Sequence, residues 1–328
     1  MTVPAATYQT YTQKGIKEDV SDLIFDISPT EKPFTSAIKR TKATQSAHEW
    51  QTDALASASK SASAIVEGDD ATANTADPTV RLKNFLQTMR KVVAVSGKAR
   101  ANDTYGRKDE FNYQLKKRMA ELGRDLEAAY TQNNAATAGG AASAPLMASA
   151  ESWLTNYTSM GQGTAQTTPG YSATLFYPDT APTDSTTAGT LTEAGLKAII
   201  ASCYTNGGNP SLAMAFVTVK QKMSSTFTGI ATRFKDVRGN SQATIIAGAD
   251  VYVSDVGELT IVPNRFMRTS VILVIDPEYW AGASLRGFTM ERLGKTGDSD
   301  RAQIVGDYTL ECRNPAASGK VTDINPAL

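Results

Sequence analysis

The chain reads as an α+β fold, and three observations carry that reading. Helical periodicity is strongest where Phe111, Leu115, Met119, Leu122 and Leu126 recur at three- and four-residue spacings. Strand-like runs cluster between residues 243 and 313 without the regular strand–helix alternation of a parallel α/β sheet. Between residues 45 and 100 lies a long excursion whose two ends alternate and whose middle is loop-like.

From the start, residues 1–13 are polar, β-branched and aromatic and read as an unanchored arm. Lys14–Ile27 predicts a helix through Ile16, Val20, Leu23, Ile24 and Ile27, and Ser28-Pro29 stops it. Pro33–Arg40 predicts a second short helix with Pro at its first position. His48–Leu55 and Val80–Ser96 predict the two strands of a long ribbon, the second changing phase before Val93 and Val95. An isolated two-stranded ribbon is marginal in water, so this one must rest on something else. The periodic segment then predicts a helix over Lys108–Gln132 after the cap Asn102-Asp103. Its outer face carries Lys116, Lys117, Arg118, Glu121, Arg124, Asp125 and Glu127.

Residues 135–190 hold only Glu151, Asp179 and Asp184 as charges, and Ala, Gly, Ser, Thr and Pro dominate. They read as surface loops anchored by Trp153, Leu154, Tyr171 and Phe176. Thr192 caps a predicted helix Glu193–Tyr204 with Leu196, Ile199 and Ile200 inward, ended by Asn206-Gly207-Gly208. A buried strand Leu212–Val219, a helix Lys220–Gly229 and strands at Ala243–Ser254, Glu258–Pro263, Val271–Ile275, Ser284–Leu293 and Gln303–Arg313 complete the reading.

Composition bounds the function. The chain has 328 residues, the size of about two domains, with 33 Lys+Arg against 33 Asp+Glu and one His. Neutrality argues against a strongly basic nucleic-acid binder and an acidic tail, and no run is long and apolar enough for a membrane helix. The first residues lack the basic and apolar regions of a secretory signal. Cys203 and Cys312 form neither a disulfide framework nor a metal pair, so a reduced compartment is expected. Ala supplies 46 residues, which leaves few large apolar side chains and points to stability shared with neighbouring subunits.

No motif supports catalysis. Gly294-Lys295-Thr296 resembles the end of a phosphate loop, but position 289 is Thr where that loop needs Gly. A hydrolase would have to combine Ser284 with His48, and the sequence around Ser284 does not make a nucleophile elbow. His48-Glu49 lacks the second His of a zinc motif, and Asp298 with Asp300 lacks the remaining ligands of a calcium loop. No catalytic residue, metal site or cofactor is assigned. Charge is instead uneven: residues 45–80 carry a net −5 and residues 81–124 a net +8. Glu49, Asp53, Glu67, Asp69 and Asp70 on one side, and Arg81, Lys83, Arg90 and Lys91 on the other, are candidates for pairing between copies.

The order of these parts resembles the major capsid proteins of tailed bacteriophages, with the Hong Kong 97-type shell fold, and most closely the phage SU ten-like subfamily. The resemblance spans nearly the whole chain. Its landmarks are GIKEDVSDLIFDISPTEKPFTSAI (15–38), HEWQTDAL (48–55), VAVSGKARANDTYGRKDEFNYQLKKRMAELGRDLEAA (93–129) and LTEAGLKAIIASCYTNGGNP (191–210). VYVSDVGELTIVPNRF (251–266), DPEYW (276–280) and LGKTGDSDRAQIVGDYTLECRNPAA (293–317) continue it. It implies an N-terminal arm over 1–45, an extended E-loop over 46–100 and a P-domain with its spine helix over 101–134. Residues 135–190 would be a low-charge insertion or surface loops, 191–300 an A-domain with returning P-domain segments, and 301–328 the closing strand and C-terminus. The implied function is a non-enzymatic shell subunit forming pentamers and hexamers around double-stranded DNA, which it contacts weakly and non-specifically. Portal, scaffolding or decoration proteins are the other implied partners, and the virion, after synthesis in the host cytoplasm, is the implied location. The stripe Phe111, Leu115, Met119, Leu122 and Leu126 would seat the spine helix on the P-domain sheet. An encapsulin-type nanocompartment shares the implied fold and is the alternative.

Overall fold

A computed structural model describes residues 28–56, 58, 60, 64–65, 67–70, 78–162, 170–227, 250–295 and 297–326. The arm 1–13 and the predicted helix Lys14–Ile27 lie outside the described residues. In chain order the first elements are α1 (Pro33–Ala37), β1 (Lys39–Lys42), β2 (Ala47–Thr52), β3 (Val80–Phe85), β4 (Gln87–Ser96), α2 (Gly97–Ala101), α3 (Glu110–Thr131), α4 (Ala150–Trp153) and β5 (Asn156–Ser159). There follow α5 (Glu193–Thr205), β6 (Leu212–Ala215), α6 (Val217–Phe227), β7 (Val251–Val253), β8 (Glu258–Pro263), β9 (Ile272–Ile275), β10 (Trp280–Leu293), β11 (Ser299–Cys312) and β12 (Gly319–Thr322). The mixture is α+β, as the sequence predicts.

The strands form two sheets and a ribbon: β1-β10-β11-β4, β5-β12-β9-β6-β8-β7, and β2-β3. The long hairpin β10–β11 is the frame of the first sheet. β11 lies inside it, antiparallel to β4 along Ser299–Tyr308, and β1 runs parallel to the base of β10 at Ala281–Ser284. Helix α3 starts where the Asp109 carboxylate accepts the Phe111 N–H (3.1 Å) and lies over β4 and β11. Its C-terminal half enters the main core, where Leu122, Leu126 and Tyr130 join Phe34, Trp280, Ile304 and Leu310. A second core joins α5 to the six-stranded sheet through Leu196, Ile199, Ile200 and Cys203 against Ile261, Ile272, Val274 and Val321. There Thr192 caps the helix by accepting the Gly195 N–H (3.3 Å), and Gly207 ends it at φ 81°.

Four expectations change. The single strand expected over Val80–Ser96 divides at Leu86: β3 pairs with β2, whereas β4 turns into the four-stranded sheet. The change of phase is the trace of that division, because the two halves bury side chains against different partners. Pro33–Arg40 is helical only to Ala37 and then becomes β1, paired with β10. The strand expected over Leu212–Val219 stops at Ala215, and α6 begins at Val217. Finally, residues 147–154 are not surface loop; every one of them is buried. That segment carries a single charge, Glu151, because it crosses the interior, with Met147, Ala148, Ala150, Trp153 and Leu154 fully covered.

Candidate assembly surfaces

The ribbon is seated by its inward-facing residues. On β2 the His48 Nε2 atom lies 3.1 Å from the Glu311 carboxylate, and the Trp50 indole N–H donates to the Cys312 carbonyl (2.9 Å). The Trp50 ring also sits 5.4 Å from that of Trp153. On β3 the buried Asn84 amide donates to the Leu310 and Ala148 carbonyls and accepts from the Ala148 and Phe85 N–H groups. A side-chain amide satisfied on both ends in a buried place fixes strand position, since leaving it unpaired costs about 1–3 kcal/mol. Alternation then turns Glu49, Gln51 and Arg81 outward.

The charge candidates divide into two sets. Arg81 Nε meets Glu49 (3.4 Å) within the ribbon, and the Lys83 ammonium sits 5.2 Å from the Tyr177 ring centre. Lys91 bridges Asp125 (2.8 Å) and Glu121 (3.3 Å) on α3, and the hydrogen bond it donates to Asp125 leads in raising its pKa. Asp53, Glu67, Asp69, Asp70 and Arg90 are exposed and have no ion-pair partner among the described residues. Lys98, Lys108, Lys116 and Lys117, on α2, α3 and the turn before it, share that condition. Among the described residues, one end of the ribbon therefore carries unpaired acidic side chains and the α2–α3 surface unpaired lysines.

Of the helix stripe, Phe111, Leu122 and Leu126 are buried and Leu115 is partly buried. Met119 is the correction: it is 38% exposed. Near its start α3 packs on β4, β11 and the short α2, whereas α1 and α4 enclose its C-terminal half. Met119 lies at the open edge of the first half. Glu127, expected on the outer face, is fully buried. Its carboxylate accepts the Phe34 and Thr35 N–H groups (2.7 and 2.8 Å), the Thr35 hydroxyl (2.5 Å) and the Asn264 amide (2.7 Å). An acid at the first turn of α1 meets free N–H groups, which is why it is held there.

A second buried charge cluster was not legible in the sequence. Lys320 on β12 and Glu151 on α4 are both fully covered; the ammonium donates to the Glu151 carbonyl (2.9 Å) and lies 4.0 Å from its carboxylate. Arg268 donates to Glu151 (2.7 Å) and pairs with Asp184. Burial raises the Glu151 pKa and lowers that of Lys320 to about 8.

The catalytic alternatives lose their geometry. His48 is engaged by Glu311, while Ser284 stands in β10 between Lys42 of β1 and Tyr308 of β11. No hydrogen bond joins the two among the described residues. Lys295 (2.7 Å) and Arg100 both pair with Asp300, so the hairpin turn is a salt-bridge cluster, and Thr296 lies outside the described residues. Burial pushes the Cys203 thiol up to about 12 and that of Cys312 well above its ordinary range. Among the described residues no group of three or more His, Cys, Asp or Glu is placed to hold a metal.

Comparison with known proteins accounts for this architecture. The profile of the SU10 major capsid protein family matches residues 4–325. The major capsid protein of Escherichia phage Phieco32 is 28% identical over 356 residues, covering 95% of each chain. Among solved structures, the capsid asymmetric unit of cyanophage A-1(L) superposes with a TM-score of 0.60 at 11% identity, covering 94% of this chain and 97% of that one. The holo-SrpI encapsulin complex from Synechococcus elongatus PCC 7942 gives 0.55 at 9% identity, covering 96% and 94%. Those two likenesses show the fold, which phage capsid and encapsulin shells share. A family profile spanning nearly the whole chain decides between them: this chain belongs to the SU10 major capsid protein family.

Proposed function

We propose that copies of this phage major capsid protein close a shell of pentamers and hexamers by laying the acidic end of one ribbon on the basic α2–α3 surface of the next copy. The observation that carries the reading is the pair of patches unpaired among the described residues: Asp53, Glu67, Asp69 and Asp70 against Lys98, Lys108, Lys116 and Lys117. Charges that find no partner inside one chain are available to orient another. The shell encloses double-stranded DNA and touches it weakly and without sequence preference, because a neutral subunit releases few counterions. Portal, scaffolding and decoration proteins are the further partners this reading expects, with synthesis in the host cytoplasm.

Reversal of Asp69 and Asp70 to Lys should abolish particles in sedimentation and electron microscopy, and Lys116→Glu with Lys117→Glu should restore them in the same chain. Normal assembly of the first variant would sink the pairing. The encapsulin likeness is one of fold alone, so the content of the particles is what tests the phage reading. Nuclease-protected DNA in purified particles supports the phage shell, and DNA-free particles loaded with a foreign enzyme overturn it.

A further inference from the structure

A groove of about 310 Å³ lies between α1, α3 and β10, and the ribbon pairing does not use it. Ile38, Met119, Leu126 and Phe288 are among its lining residues and supply its apolar part. Its cations are Lys32, Lys39 and Arg40. Among the described residues neither Lys32 nor Arg40 has an ion-pair partner, and Lys39 reaches only the exposed Glu278 at 3.8 Å. Gly123 lines the groove beside Lys32, whose ammonium would lie 2.7 Å from a Cβ at that position. The space exceeds by far the ~10–15 Å³ a single water needs, and its mixed lining suits an amphipathic, acidic occupant.

We infer that the occupant is residues 14–27 of the same chain. Their sequence carries Ile16, Val20, Leu23, Ile24 and Ile27 at helical spacing, with Glu18, Asp19, Asp22 and Asp26 among them. The apolar positions match the floor and the carboxylates match the three cations. The tether is short. Five residues from Ile27 to Lys32 span at most about 18 Å, and Lys32 already lines the groove. Such a connection holds the segment at millimolar effective concentration, well above what a second copy supplies at ordinary protein concentration. Met119, 38% exposed, is the apolar lining residue most open to such a contact. This inference does not rest on the shell reading.

The test is disulfide trapping in the full-length chain carrying Leu23→Cys and Met119→Cys, because the native Cys203 and Cys312 are buried. Mild oxidation in dilute solution should join positions 23 and 119 within one chain, read by peptide mass. Reversing Lys39 and Arg40 to Glu, both exposed, should lower the yield about threefold, and Asp22→Lys with Asp26→Lys should recover it. A yield no higher than that of a Leu23→Cys/Val92→Cys control would overturn the inference. So would a bond formed only between chains, or a yield indifferent to the charge reversal.

Discussion

Helix α3 and the segment 147–154 invert each other. The helix has the clearest apolar stripe in the chain, yet Met119 in that stripe is exposed and its neighbours Lys116 and Lys117 face solvent. The segment has no readable period, yet all eight residues are buried and Trp153 is fully covered. Periodicity reports that an element has an inside, because a regular helix repeats every 3.6 residues. It says nothing about how many neighbours surround the element. The segment 147–154 is packed from several sides at once, by the ribbon through Trp50, by β3 through Asn84 and by β12 through Lys320. Such a segment has no solvent face, and its polar residues, Glu151 among them, are paired inside, so no stripe appears.

The comparison breaks most easily at Trp153. Trp153→Ala should cost about 3–5 kcal/mol in denaturant unfolding, enough to leave much of the chain unfolded. A loss under about 1 kcal/mol would return the segment to the surface. Within α3 the contrast should reappear between its halves: Leu122→Asp should abolish soluble folded chain, whereas Met119→Asp should leave the chain folded and lose only the contact with residues 14–27. Equal effects would mean that Met119 belongs to the core in the same way as Leu122.

Buried carboxylates sharpen the same point at smaller scale. Glu127→Gln removes one acceptor oxygen and strands a donor among Phe34, Thr35 and Asn264, a cost of about 1–3 kcal/mol. Thermal melts of the variant that match the parent would show that α1 does not need its cap. The smallest effect is a pH slope. Lys320 has a folded pKa near 8, below its ordinary 10.5, so between those values the unfolded chain binds the extra proton and stability rises with pH. Relative to Lys320→Met, the parent should gain at most about 1.4 kcal/mol per pH unit from pH 8 upward. A flat difference would remove the buried ammonium as a titrating group.

Much of the fold was legible locally. The predicted Glu193–Tyr204 helix appears as α5, one residue longer, with Thr192 capping and Gly207 terminating it, and Glu258–Pro263 appears as β8 with its predicted bounds. Caps, stops and alternation act over a few residues, so a sequence window contains their cause. The strands β5 and β12 were missed because each is four residues long and exists through its pairing with the other, across more than 150 positions. The candidate assembly residues were legible as signs of charge, but not as partners: nothing near Lys91 in sequence points to Asp125, or near Glu49 to Arg81.

What the sequence by itself determined is the α+β class, the long helix with its inward stripe, the uneven charge and the family to which these landmarks belong. Only the tertiary structure decided which charges are consumed inside the chain and which remain outside. It buried Glu127 and Glu151, paired Lys91 and Arg81, and left Asp69, Asp70, Lys116 and Lys117 without ion-pair partners among the described residues. The reason is range: periodicity and capping are set by neighbours in sequence, whereas burial and ion pairing depend on which distant segments arrive on the same side of an element.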